Sequence, residues 1–164
     1  MEGILSHLPA LLGLTLPTVN SFRRVGKGCW TGSEIGWALE DKECALRVCS
    51  DLKTREWSHV ELKLCDHTAN IYLAIAGILH AGMDGLNRGM ILRPALSADS
   101  QSNVVSPLPS SAGKALACLE EDDYMFGMLG PRLGRGYLAV RRHEIERAEK
   151  MSFEDEVQEF LSRA

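Results

Sequence analysis

The chain has 164 residues, 45% of them hydrophobic and 24% charged, with a formal net charge of −4. That length supports one buried core, and the acidic balance excludes the basic stripe by which nucleic-acid-binding proteins are recognised. The longest apolar run, around Ile71 to Ala81, is too short for a bilayer. An N-terminus with Glu2 and a Pro-interrupted apolar run is not a secretory signal.

Ile4, Leu5, Leu8, Leu11, Leu12 and Leu14 recur at helical spacing and predict a helix over 2–15, broken by Pro9 and stopped by Pro17. Residues 18–33 read as a loop, with Asn20 and Ser21 shaping it through side-chain-to-backbone bonds. Strand patterns at 34–40 and 44–49, joined by the charged turn from Glu40 to Glu43, predict a hairpin. After a polar connection, Val60, Leu62 and Leu64 alternate with Glu61, Lys63 and Cys65, the period of a third strand. Three sequential short strands imply an antiparallel sheet with one functional face.

From Thr68 to Gly85 the residues are apolar all round, which predicts a helix inside the core. Residues 86–109, with Pro94, Pro107 and Pro109, read as an irregular surface excursion. Ser111 starts a helix over 112–121, whose acidic end, Glu120 to Asp123, reads as a solvated run. Beyond Gly130 and Pro131 come helices over 134–150 and 152–162, the second opened by Ser152 with Glu154, Asp155 and Glu156 behind it. No internal repeat is visible.

The five cysteines have no C-x-x-C spacing and fit reduced thiols of a cytosolic protein, with Cys44, Cys49 and Cys118 filling core positions. Of the histidines, no two stand at metal-ligand spacing on one face.

The segment from Val60 to Tyr72 concentrates the chemistry. A strand carrying Glu61 beside Lys63 runs into a turn with Asp66, Ala69 and Asn70. On spacing alone this is a surface Glu–Lys ladder or a site for a metal and an acidic substrate. Its company decides between them: the runs from Pro17 to Arg24, Gly36 to Lys42 and Ala45 to Val48 upstream, and from Leu108 to Ser111, Ala115 to Glu120 and Tyr137 to Val140 downstream. Taken in this order, the chain resembles the C-terminal half of the catalytic domain of glutamine synthetase, most of all the plant and fungal FluG-like, nodulin/glutamine-synthetase-like branch. The resemblance runs from about Gly3 to about Ala164.

It implies an α+β fold over 1–164: a short antiparallel sheet packed by helices, as part of a larger catalytic domain. It also implies a cytoplasmic ligase that joins glutamate to ammonia through a γ-glutamyl phosphate. ATP and Mg²⁺ or Mn²⁺ are the implied cofactors, and the full-length protein is expected to be a homo-oligomer with neither nucleic acid nor membrane as partner. By the same resemblance Glu61 is a metal ligand, since a hard oxygen suits such ions. Arg24, Lys42 and Lys63 bind glutamate, and Arg47 and Lys53 meet the nucleotide phosphates.

The departures from the family pattern carry their own expectations. Lys42 and Lys63 stand where the family has arginines, keeping the charge and losing the two-pronged grip on a carboxylate. Trp30 stands where the family has a flap glutamate that handles ammonium. A Trp cannot take a proton, so a larger amine is an alternative acceptor. No strand-borne Glu-x-Glu or His-x-His candidate supplies the further metal ligands the family uses. The chain therefore reads as a fragment, inactive alone, or as a catalytically dead segment that associates with full-length subunits.

Overall fold

The computed structural model describes residues 1–96 and 106–163, so part of the expected excursion over 86–109 lies outside the described residues. Two short helices open the chain, α1 (Glu2–Ser6) and α2 (Leu8–Thr15). The break expected at Pro9 in the helical run over 2–15 falls at His7, because Pro9 is accommodated in the first turn of a helix and nowhere deeper. A third helix, α3 (Val19–Arg23), lies inside the expected loop. Thr18 and Ser21 form a reciprocal capping box around its start, the bonds read from the sequence as loop-shaping.

The sheet has the order β1 (Trp37–Leu39), β2 (Leu46–Ser50), β3 (Trp57–Leu62). β2 and β3 are antiparallel, but β1 runs parallel to β2, which corrects the expected hairpin and makes the sheet mixed. The reason lies in the turn. Glu40 takes a left-handed φ of 59° and Asp41 accepts the Glu43 N–H, so the chain doubles back to the start of β1 before β2 begins.

The remaining helices are α4 (Ile71–Asn87), α5 (Ala112–Glu121), α6 (Asp123–Ala148) and α7 (Phe153–Arg163). Asn70 caps α4 and Ser111 caps α5 with side-chain oxygens on free backbone N–H groups. α6 bends at Gly130, whose φ of 69° precedes Pro131; the first segment, 123–129, was not visible as a helix in the sequence.

Leu5, Leu8, Leu11, Leu12, Leu14 and Leu16 are all but wholly buried and form the centre of the core. Each contributes about 1.5–3 kcal/mol of transfer free energy. α1 and α4 cross so closely at Gly3 and Gly85 that a Cβ on Gly3 would sit 2.1 Å from the Ala81 carbonyl oxygen. α4 is not core on every side, as the sequence suggested. Its small residues Ala74, Gly77 and Ala81 face α1 and α2, while Ile71, Tyr72, Ile75, Leu79, Met83 and Leu86 are about half exposed or more. Hydrophobicity all round shows that both faces are apolar, not that this chain covers both.

The acidic run at 120–123 is also not merely solvated. Asp122 caps α6 through the Met125 N–H and accepts a 2.6 Å bond from His7 Nδ1, while His7 Nε2 reaches buried Asp84 at 3.0 Å. Among the described residues no helix is long and apolar enough to cross a membrane.

Candidate functional site

Alternation along the sheet puts Leu46, Val48, Val60 and Leu62 on one face and Arg47, Cys49, His59 and Glu61 on the other. Register then fixes the polar pairs, Arg47 opposite Glu61 and Cys49 opposite His59. Arg47 Nη1 donates to Glu61 Oε2 at 3.3 Å, and Lys63 Nζ stands 3.8 Å from the same oxygen. Glu61 is therefore a half-buried acid gripped by two cations on one side, not a carboxylate adrift in solvent. Its other oxygen, Oε1, faces His59 Nε2 at 3.9 Å.

Arg47 is fixed from the far end as well. Its Nη2 donates to Glu40 Oε2 at 2.9 Å, while Glu40 Oε1 accepts both the backbone N–H and the hydroxyl of Ser50 at 2.7 Å. The Ser50 backbone N–H, then its hydroxyl, then Arg47 hold the Glu40 carboxyl down at about 2. The Glu40 bond in turn raises the Arg47 pKa above its ordinary value, although partial desolvation opposes it. This guanidinium stays charged and aimed along the sheet.

The other residues singled out in the sequence lie elsewhere. Arg24 follows α3 and its Nε lies 4.0 Å from Asp66, in the turn that leaves β3. Asp66 is itself locked by the Thr68 N–H and hydroxyl. Lys42 lies on the β1–β2 turn with its ammonium 4.8 Å from the centre of the Trp30 ring. Lys53 is exposed in a turn closed by Asp51. The structure thus brings Glu61, Arg47 and Lys63 together, sets Arg24 at the strand's exit, and leaves Lys42 and Lys53 outside the cluster.

Four participants escaped the sequence reading. Glu40 anchors Arg47, and Cys49 and His59 share the Glu61 face; strand parity would have found the last two once the β2–β3 register was known. Glu43 is the fourth. Its carboxylate accepts the N–H groups of Gly28 and Trp30 at 2.8 and 3.0 Å, holding the glycine-rich loop with Trp30 at a left-handed φ of 58° and 62% exposed. An acid beside a loop of three glycines was the available signal.

A hard divalent ion fits here only in part. Glu61 would offer it Oε1, the oxygen that the cations leave free, and such ions need several oxygen ligands. Further carboxylates, phosphate oxygens or waters would have to complete the shell.

The family model for the glutamine synthetase catalytic domain matches residues 1–160. Type-1 glutamine synthetase 1 of Dictyostelium discoideum is 33% identical over 162 residues, covering 97% of this chain and 32% of the relative. Protein fluG of Emericella nidulans is 34% identical over 167 residues, covering 95% of this chain and 18% of its own length. Gamma-glutamylpolyamine synthetase GlnA3 of Streptomyces coelicolor is 32% identical over 155 residues, covering 88% of this chain and 33% of the relative. Among solved structures, a GmaS/ADP complex superposes with a TM-score of 0.76 at 26% identity, covering 98% of this chain and 38% of that one. The chain spans a third or less of the length of each of these three curated relatives. With its helices, its mixed three-strand sheet and a match over nearly all its length, this chain belongs to the glutamine synthetase catalytic-domain family.

Proposed function

We propose that this chain supplies part of the active site of an ATP-dependent ligase that activates glutamate as a γ-glutamyl phosphate and joins it to ammonia. The observation that carries the reading is Glu61 held on one face by Arg47 and Lys63, with Arg24 at the exit of the same strand. In this reading Lys63 and Arg24 receive the carboxylates of glutamate, Arg47 meets the phosphates, and Glu61 offers Oε1 to Mg²⁺ or Mn²⁺. When bound, the ion neutralises phosphate charge. The protein cations do the same from fixed positions, which is where electrostatic stabilisation gains most. Lys42 and Lys53 take part only if the loops that carry them close toward the sheet. The full-length protein works in the cytoplasm as a homo-oligomer.

Trp30 favours a second acceptor. An exposed indole with the Lys42 ammonium 4.8 Å from its ring centre presents a face that attracts cations, and a larger organic amine is a cation of that kind. GlnA3, by its name a γ-glutamylpolyamine synthetase, makes this acceptor class familiar in the family.

The test is glutamate-dependent ADP release by the full-length protein with Mg²⁺, supplied with ammonium or with a panel of amines. Turnover with ammonium supports the first reading, and preference for an amine supports the second. No turnover with any acceptor refutes both ligase readings and leaves the segment that acts by association. Glu61→Ala is expected to abolish the metal dependence; unchanged metal dependence refutes the role of Glu61.

A further inference from the structure

Cys49 lies at the point where β2 slips register between Cys49 and Ser50, 7% exposed and directly across from His59. Its sulfur, a ring nitrogen of His59 and a carboxylate oxygen of Glu61 all lie within 4.8 Å of one another. The imidazole is already oriented. His59 Nδ1 is 3.2 Å from Ser58 Oγ, and Nε2 is 3.9 Å from Glu61 Oε1. In the tautomer that gives the Nδ1 proton to the Ser58 hydroxyl, Nε2 offers its lone pair on the Glu61 side. In that tautomer Nε2, Oε1 and the nearby sulfur are three ligand atoms close enough to share one cation.

We infer that Cys49, His59 and Glu61 form a binding site for a thiophilic divalent cation, Zn²⁺ foremost, held through Sγ, Nε2 and Oε1 with a fourth position open. A thiolate and an imidazole select such an ion over Mg²⁺, which prefers oxygen throughout. Bond lengths of about 2.0–2.3 Å in a tetrahedron place neighbouring ligand atoms roughly 3.4–3.6 Å apart. The observed spacings need only small side-chain rotations to reach this. Binding deprotonates the Cys49 thiol, and the proton goes to solvent. Nothing is oxidised or reduced. Ser58 plays the outer partner that fixes a ligating imidazole. Arg47 and Lys63 hold the opposite oxygen of Glu61, so the carboxylate bridges the ion and the two cations without being released by either. The inference needs these three side chains and not the ligase reading.

The test is titration of the 164-residue chain with Co²⁺ alone, without nucleotide or glutamate, following the sulfur-to-cobalt charge-transfer absorption. The expected result is a saturable absorption that Zn²⁺ displaces, that Cys49→Ser abolishes and that Cys29→Ser leaves intact. His59→Gln, at a side chain 59% exposed, is expected to fold normally and to weaken Co²⁺ binding at least about tenfold. It decides the matter should Cys49→Ser fail to fold by circular dichroism. Absence of the absorption, its persistence in Cys49→Ser, or unchanged affinity in His59→Gln overturns the inference. Since no ADP release is measured, these outcomes are independent of the Mg²⁺ assay above.

Discussion

Replacing His7 by Gln removes the joint between three helices. His7 lies between α1 and α2, is 8% exposed, and points both ring nitrogens at carboxylate oxygens, Asp122 at 2.6 Å and Asp84 at 3.0 Å. A ring that donates twice is an imidazolium. Burial works against that charge, but the bonds to Asp122 and then Asp84 outweigh it and raise the His7 pKa above 6.5. Gln keeps a single donor nitrogen, puts an accepting oxygen in place of the other and loses the charge. A hydrogen bond between charged groups is worth about 1.5–3 kcal/mol, and orphaning a buried charge costs about 3–5 kcal/mol. Asp84 keeps Arg88 at 3.0 Å and Asp122 keeps the Met125 N–H, so the cost falls to roughly 2–4 kcal/mol. That is a large share of the 5–15 kcal/mol typical of a domain.

The pH dependence follows from the signs. A raised histidine pKa contributes stability that is fully present below 6.5 and is lost as pH rises through the folded-state value. Asp84, lowered first by its bond to His7, contributes stability present above 3.8 and lost as pH falls through its own folded-state value. This bridge therefore contributes most in the mildly acidic window between, and His7→Gln flattens the alkaline side. Urea denaturation followed by far-ultraviolet circular dichroism over a pH series measures both effects. Parallel pH profiles for the two proteins, or a loss under about 1 kcal/mol below pH 6, refute the imidazolium bridge.

Two glycines make opposite predictions. Gly3→Ala forces a methyl against backbone atoms of α4 and is expected to cost at least about 1–3 kcal/mol, whereas Gly136→Ala meets nothing within 4 Å inside α6 and is expected to gain about 0.5–1 kcal/mol, both read from urea midpoints. Asn70→Ala leaves the Tyr72 and Leu73 N–H groups without their cap and is expected to cost about 1 kcal/mol, which Asn70→Asp restores in the same assay. Glu43→Gln weakens the clasp on the Gly28 and Trp30 amides, and faster hydrogen exchange at those two amides is the expected readout.

What could be read from the sequence was whatever repeats over a few residues. The alternation from Val60 to Leu64 located β3 and placed Glu61 with Lys63 on one face, and Asn70 and Ser111 announced their helices by residue type. The direction of β1 was not legible. Three paired residues carry no pattern that tells parallel from antiparallel, and the deciding feature, the left-handed backbone at Glu40, belongs to a residue type that seldom adopts it. His7 was illegible for a different reason. Its partners are 77 and 115 positions away, so no local spacing could pair them. The exposed side of α4 shows the same limit in reverse, since an apolar residue states what it prefers and not whether a neighbour is present.

The site was read as a list of charges, and geometry turns that list into a division of labour within one carboxylate. Arg47 and Lys63 both address Glu61 Oε2, so that oxygen is largely neutralised before any ligand arrives. Oε1 faces away from them, toward His59 and Cys49, and keeps its lone pairs. Any divalent ion at this face therefore competes for one oxygen, and its identity is set by what stands beside that oxygen. With phosphate oxygens alongside, a hard ion wins. With the sulfur and the imidazole alongside, a softer one does.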